Sequence, residues 1–210
     1  MELFEAMETC RAMRYLKPDP IPQEMLERVI HAATRASNPG NSQRWGFVVL
    51  RDTDQKRRVQ QAVAVAVREM TEMAAAAAEA NPDAMDPSSR RILLGAGHLL
   101  ENLHLAPVIV IVCAHHDYPP GSPPQIEYVY STVYPASQNL ILAARGLGLG
   151  TVFTTFNLSC EPQLREILGL PDDVKMGTVI PMGFPERDFG PVTRRPVDEV
   201  IHYDRWDPTR

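Results

Sequence analysis

The sequence predicts an α+β fold, a sandwich in which a central, mostly antiparallel or mixed sheet lies between helices. Three observations carry that reading. Helical and strand-like patterns follow one another in the order helix, helix, strand, helix, helix, strand, helix, strand, helix, strand, tail. The run VIVIVC at residues 108–113 is continuously apolar, as a strand covered on both faces must be. A Pro-rich, extended tail over residues 184–210 follows the last strand and has no partner of its own, which predicts that it wraps a second subunit. With 210 residues the chain is long enough for a complete core, and residues 1–210 read as one domain.

Residues 2–14 place Leu3, Phe4, Met7, Cys10 and Met13 near helical spacing. A second helix begins after PIP, with Pro22 in its first turn and Met25, Leu26, Val29, Ile30 and Ala33 along one face. It ends in RASNPGNSQ, residues 35–43, a run of turn formers that exposes backbone and side-chain amides together before a strand over 45–50. An Ala-rich helix over 54–80 is broken by NPDAMDPSS, and a further helix runs roughly from Arg90 to Leu105; residues 53–102 read as a mobile cover on the substrate side. After the 108–113 strand, PPGSPP is a surface loop and residues 128–145 form a long apolar helix at the centre of the fold. GLGLG at 146–150 has a helix before it and a strand after it, the reverse of the dinucleotide-binding order, so its glycines read as a helix C-cap and tight turn. A strand over 151–155, a short helix in EPQLREILGL and a strand in GTVIPMG complete the chain.

Twenty-one Lys plus Arg against 26 Asp plus Glu give a net charge of -5, which suits a soluble protein and argues against a nucleic-acid partner. Cys10, Cys113 and Cys160 are odd in number and widely spaced, so the expectation is a reducing cytoplasm without a disulfide framework. The opening MELFEAMETC carries acids where a secretory signal carries bases, and no apolar run approaches membrane length.

Several clusters offer chemistry. His115, His116 and Asp117 resemble metal ligands, but neighbouring residues at a strand end point to opposite sides and no second ligand pair accompanies them. His98, Glu101 and His104 recur along one helix without the second copy that a bundle metal site requires. No GxSxG elbow is present. What remains is anion-binding in character. Arg11 and Arg14 in TCRAMRY stand three residues apart and on a helix would share a face, so two forked guanidiniums can meet one doubly charged anion. The amide-rich loop 38–43, Thr154 with Thr155, and Arg194 with Arg195 add to that set.

RAMRYL, then PIPQEMLERVIHAA, then SNPGNSQRWGFVV, and later YPASQNLILAARGLGLGT, PMGFP and TRRPVDEVIHYDRW, stand in one order. Together they resemble the signatures of the nitroreductase-like FMN-dependent oxidoreductases, over roughly residues 8–52 and 103–206. The resemblance implies a nitroreductase-like sandwich built as an intertwined homodimer, with FMN at the interface and the tail swapped. It implies FMN contacts at Arg11, Ala12, Met13 and Arg14, with Arg194 joining the two arginines on the phosphate. Asn38 and Asn41 would reach in from the other subunit to ribityl or ring polar atoms, Gln43 would be a further FMN contact, and Phe153, Thr154 and Thr155 would lie over the ring. The match is nearest to the branch that includes iodotyrosine deiodinase, where a threonine placed as Thr155 meets flavin N5, the one tuning or catalytic residue implied. The expected activity is ping-pong reduction of an electron-poor small molecule, such as a nitroaromatic, quinone or activated alkene, with NADH or NADPH as donor. A flavin-storing or sensing protein with little turnover, and one-electron reductive dehalogenation, are the alternatives.

Two departures stand out. Ala12 takes the place of a serine, and Arg44-Trp45 that of the usual Pro-Trp, which sets a cation beside the loop. The stretch 70–80 also lacks the Glu, Tyr and Lys set of the halotyrosine lid.

Overall fold

An eight-residue apolar strand, β2 (Val108–His115), is buried over its first seven residues and organises the molecule. It pairs antiparallel with β1 (Trp45–Leu50) on one side and β4 (Val174–Gly183) on the other, and the two-residue β3 (Gly150–Thr151) closes the sheet in the order β1-β2-β4-β3. The computed structural model describes residues 1–80 and 86–207, without the side chains of 69–71, 74, 75 and 77–80.

Alternation along the strands builds two cores. Val108, Val110, Val112 and Ala114 of β2 face α2 (Gln23–Ala33) and α5 (Ile126–Gly146), where Leu26, Val29, Ala33, Val129, Val133, Ala136 and Leu140 are buried. Ile109, Ile111 and Cys113 face the other way, onto α3 (Thr53–Ala80), α4 (Pro87–Asn102) and α6 (Asn157–Leu168), through Val59, Val63, Val67, Leu99, Leu100 and Leu164. Each fully buried Val, Leu or Ile contributes about 1.5–3 kcal/mol, so a strand with apolar residues on both faces is worth more here than one with a polar side.

The register slips between Val112 and Cys113, leaving Gly177 of β4 without an opposite number. That position has to be glycine, because a Cβ there would lie 2.1 Å from Val133 Cγ2 of α5. The expected α+β sandwich is present, and the sheet is antiparallel apart from an isolated parallel bridge between Ala12 and Thr151.

Four expectations need correction. The first helix, α1 (Leu3–Thr9), stops short of the arginines, since residues after Cys10 pair with the sheet edge instead of continuing the helix. The strand expected over 151–155 ends at Thr151; Thr154 returns to β4 only through a single bridge to Val179. Residues 53–102 are core as much as cover, because α3 and α4 supply much of the second cluster. The break at NPDAMDPSS falls largely outside the described residues, and α4 starts at Pro87, where the Asp86 carboxylate caps the backbone N–H groups of Ser88 and Ser89. The start of the tail stays with its own chain: Lys17 N–H donates to the Phe184 carbonyl (2.8 Å), Glu186 N–H to Tyr15 (3.1 Å) and Val192 N–H to Glu8 (2.8 Å). No helix is long and apolar enough to cross a membrane among the described residues.

Candidate functional site

The arginine motif lies in an extended segment held against the sheet edge. Met13 donates its backbone N–H to Thr151 (2.9 Å), and its buried side chain packs on Gly150, where a Cβ would come within 2.8 Å of Met13 Cβ. Extended residues three apart point to opposite sides, so a shared helix face does not bring Arg11 and Arg14 together. They remain electrostatic neighbours all the same. Burial holds the Arg14 guanidinium below its ordinary pKa, and the charge of Arg11 lowers it further. Arg14 passes over α4 at Gly95, where a Cβ would stand 3.0 Å from Arg14 Cδ, while Arg11 and Ala12 are exposed. Among the described residues no carboxylate lies within ion-pair distance of either arginine. Two repelling guanidiniums without a counter-charge fit a dianionic phosphate.

Next to this segment, two adjacent threonines are separated by their environments. Thr154 is buried and donates its hydroxyl to the Val179 carbonyl at 2.5 Å, so it anchors the chain to β4. Phe153 and Thr155 are exposed on either side of it. Phe153 meets the ring of Tyr134 edge-on at 5.7 Å, and Tyr134 stacks on Tyr130 at 5.0 Å, so an aromatic row one helical turn apart on α5 leads to the exposed phenylalanine. Burial, and then Tyr130, raise the Tyr134 phenol above its ordinary pKa, keeping it protonated near neutrality. Sequence reasoning missed these tyrosines, although their i, i+4 spacing was a visible signal.

The loop 38–43 is fixed by its own residues. Asn38 Oδ1 accepts the Gln43 backbone N–H at 2.8 Å and the Ser42 hydroxyl at 3.4 Å, which commits that oxygen to the loop. Asn41 and Gln43 are exposed and have positive φ, as does Gly40, whose missing Cβ makes room for the Tyr118 hydroxyl. Arg44 is no free cation beside this loop: it pairs with Asp117, whose second oxygen accepts the Gly121 N–H at 2.6 Å. That backbone bond, and then Arg44, hold the Asp117 carboxyl below its usual pKa.

Sheet register separates the two groups of candidates. Trp45, just after the loop, pairs with Ala114 and through it with Lys175, whereas Thr151 beside Met13 pairs with Met182. Seven residues of β4 amount to about 23 Å, and three strand spacings add about 14 Å across the sheet. Arg11 and Arg14 therefore sit toward one corner, and Asn38, Asn41 and Gln43 at the opposite one; Phe153 and Thr155 flank Thr154, which bridges Val179 midway along β4 on the arginine side of the sheet. Arg194 is exposed and donates to the Thr193 carbonyl at 2.8 Å, and among the described residues no contact ties it to Arg11 or Arg14.

His115, Asp117 and Asp173 present ligand atoms within 4.8 Å of one another. His115 Nδ1 and Asp173 are joined at 2.6 Å, which lowers the Asp173 pKa, and Asp117 is already held by Arg44. His98 of the helical His-Glu-His series stacks on Tyr15 at 4.1 Å and so helps to dock α4 on the arginine segment.

A model of the nitroreductase family matches residues 8–184. The chain belongs to the nitroreductase family. Among relatives of this nitroreductase-family protein, iodotyrosine deiodinase 1 of Mus musculus is 28% identical over 209 residues, covering 95% of this chain and 68% of its own. An Archaeoglobus fulgidus protein named as a candidate NADH dehydrogenase/NAD(P)H nitroreductase is 26% identical, covering 98% of this chain and 99% of its own. A crystal structure of oxidized iodotyrosine deiodinase bound to FMN and 3-iodo-L-tyrosine superimposes with a TM-score of 0.75 at 18% identity, covering 98% of this chain and 100% of that one. The NADPH:FMN oxidoreductase of Vibrio harveyi, complexed with NAD+, gives 0.74 at 19% identity, covering 98% and 78%. These likenesses at low identity establish a nitroreductase-like fold.

Proposed function

We propose that this protein is an FMN-dependent NAD(P)H oxidoreductase that reduces electron-poor small molecules, such as nitroaromatics, quinones or activated alkenes, by a ping-pong mechanism. The observation that carries the proposal is the Arg11–Arg14 pair, with its unanswered charge, beside the exposed Phe153 and Thr155. Bound FMN would supply the hydride and electron transfer chemistry.

The chain's own residues do the rest. Arg11 and Arg14 hold the phosphate, and the backbone of Ala12 and Met13 fixes their spacing against β3. Thr154, tied to Val179, turns Thr155 outward, and the Thr155 hydroxyl is the group available to donate to flavin N5. Phe153, braced by Tyr134, gives the ring an apolar wall.

The second half of the site comes from a second copy of the chain. Asn38, Asn41 and Gln43 lie too far from Arg11 to serve the same site within one protomer, which supports an intertwined homodimer. Exposed apolar side chains agree with it: Phe4 and Trp206 are each 75% exposed, and Leu3, Met7, Val197, Val200 and Tyr203 are exposed too. In this reading residues 193–207 leave their own chain and bring Arg194 to the partner's phosphate.

Flavin retention tests the site. The purified protein is expected to hold FMN tightly, and Arg14→Ala to stay folded while releasing it. Wild-type retention of FMN by the variant contradicts the phosphate assignment.

Reductive dehalogenation of a halogenated phenol is the second reading, supported by the deiodinase relatives and by the outward Thr155 hydroxyl. Release of halide from a halophenol by the reduced protein distinguishes it. The side chains of most of the 70–80 stretch, where a halotyrosine lid would be sought, lie outside the described residues.

A further inference from the structure

Arg145, in the last turn of α5, is a buried cation for which no carboxylate serves as counter-ion among the described residues. It is only 9% exposed. Its Nε donates to the Thr9 hydroxyl at 2.9 Å, and its guanidinium lies over the Phe189 ring, 4.0 Å from the centroid. Both contacts are made by segments that lead directly to Arg11. Thr9 closes α1 two residues before Arg11, and Phe189 precedes Gly190, where a Cβ would stand 3.2 Å from Arg11 Nη1. The Val192 N–H donates to the Glu8 carbonyl at 2.8 Å and closes the bracket. The C-terminal end of α5 favours a cation, so a charge that elsewhere would be costly to bury is tolerated here.

We infer that Arg145 is a positioning residue for the phosphate site: its planar fork pins Thr9 to Phe189 and thereby fixes the backbone that aims Arg11. This inference rests on the FMN reading above. Arginine suits the task because one flat group both donates through Nε and stacks on an aromatic ring, which the point charge of lysine does not do. A Gly at 190 belongs to the same arrangement, since it lets the guanidinium of Arg11 lie against the tail.

Riboflavin, which lacks the phosphate, separates positioning from general structural support. Flavin-free full-length protein is titrated with FMN and with riboflavin, following the quenching of flavin fluorescence. Arg145→Met is expected to weaken FMN about tenfold while riboflavin changes by less than about twofold, and Arg145→Lys is expected to behave like Met. An unchanged FMN-to-riboflavin preference, an equal loss for both flavins, or full rescue by lysine overturns the inference. Should Arg145→Met fail to fold, Phe189→Leu removes the stacking partner, and an unchanged preference in that variant is equally fatal. Arg11→Ala serves as the reference. If it abolishes the preference and the Arg145 variants do not, this inference alone fails; if wild type binds both flavins equally, the phosphate site falls, and this inference with it.

Discussion

The hydroxyl of Thr154 donates to the backbone carbonyl of Val179 across 2.5 Å, and this bond decides which of two neighbouring threonines faces outward. Replacing it with Thr154→Val leaves a buried carbonyl without its donor, at a cost of about 1–3 kcal/mol in denaturant unfolding. Thr155→Ala changes an exposed side chain and is expected to cost less than about 0.5 kcal/mol, yet to alter the rate of flavin reduction. A larger stability loss at Thr155 than at Thr154 would reverse the assigned roles.

Close packing of α5 on β4 at Gly177 gives a second expectation. Gly177→Ala forces a Cβ to within 2.1 Å of Val133 Cγ2, and the backbone has to shift. Overpacking of this kind costs about 1–3 kcal/mol, and Gly177→Ala with Val133→Ala should recover part of the loss. Urea melts of the single and double variants measure it.

Acid sensitivity should trace to the rim of the sheet. The folded-state pKa of Asp117 is depressed by the Gly121 N–H and by Arg44, so its contribution is complete above the ordinary carboxylate value of about 4 and is lost as pH falls through the lowered one. Asp117→Asn is expected to remove that part of the pH dependence below about pH 4. Melting curves between neutral pH and pH 3 that fall equally steeply for both proteins would contradict the assignment.

The three thiols should differ in reactivity. Burial pushes Cys113 up to about 12 and Cys160 up to about 11, and raises the half-buried Cys10 against the opposing charge of Arg145. A thiol reagent at mild alkaline pH should therefore modify the native protein slowly, at Cys10 first, and all three cysteines once it is unfolded. Rapid modification of Cys113 in the native state is the contrary result.

A site shared between chains can be divided by mutation. Arg14→Ala in one copy and Asn38→Ala with Asn41→Ala in another should each impair FMN binding alone. Refolded together, they should regain sites, because a mixed dimer assembles one intact half from each chain. Mixtures that bind no better than the separate variants would place the whole site within one protomer.

Much of the fold was legible because burial imposes strong patterns. The face of α2, the strand at 45–50 and the apolar 108–113 run all follow from periodicity, and GLGLG forms the helix end and turn that its order predicts, with Gly148 at φ 78. The end of α1 was not legible, since nothing local forbids helix through Met13. Its backbone is taken by Thr151, a residue more than a hundred positions away. For the same reason Arg11 and Arg14, which a helix would set on one face, lie instead on an extended segment, where the charge of Arg11 still acts on Arg14. Thr154 and Thr155 looked alike in sequence, and only the bridge to Val179 separates them. The opposite-corner placement of the loop 38–43 depends on strand order, which no segment encodes alone.

An anaerobic titration of the FMN-loaded protein with NADH and with NADPH bears most closely on the proposed activity. Bleaching of the bound flavin band by one equivalent of at least one nicotinamide, followed by reoxidation with a quinone or nitroaromatic, is the predicted result. A flavin that stays oxidised in excess of both nicotinamides contradicts an NAD(P)H oxidoreductase and favours a flavin-storing protein or a different electron donor.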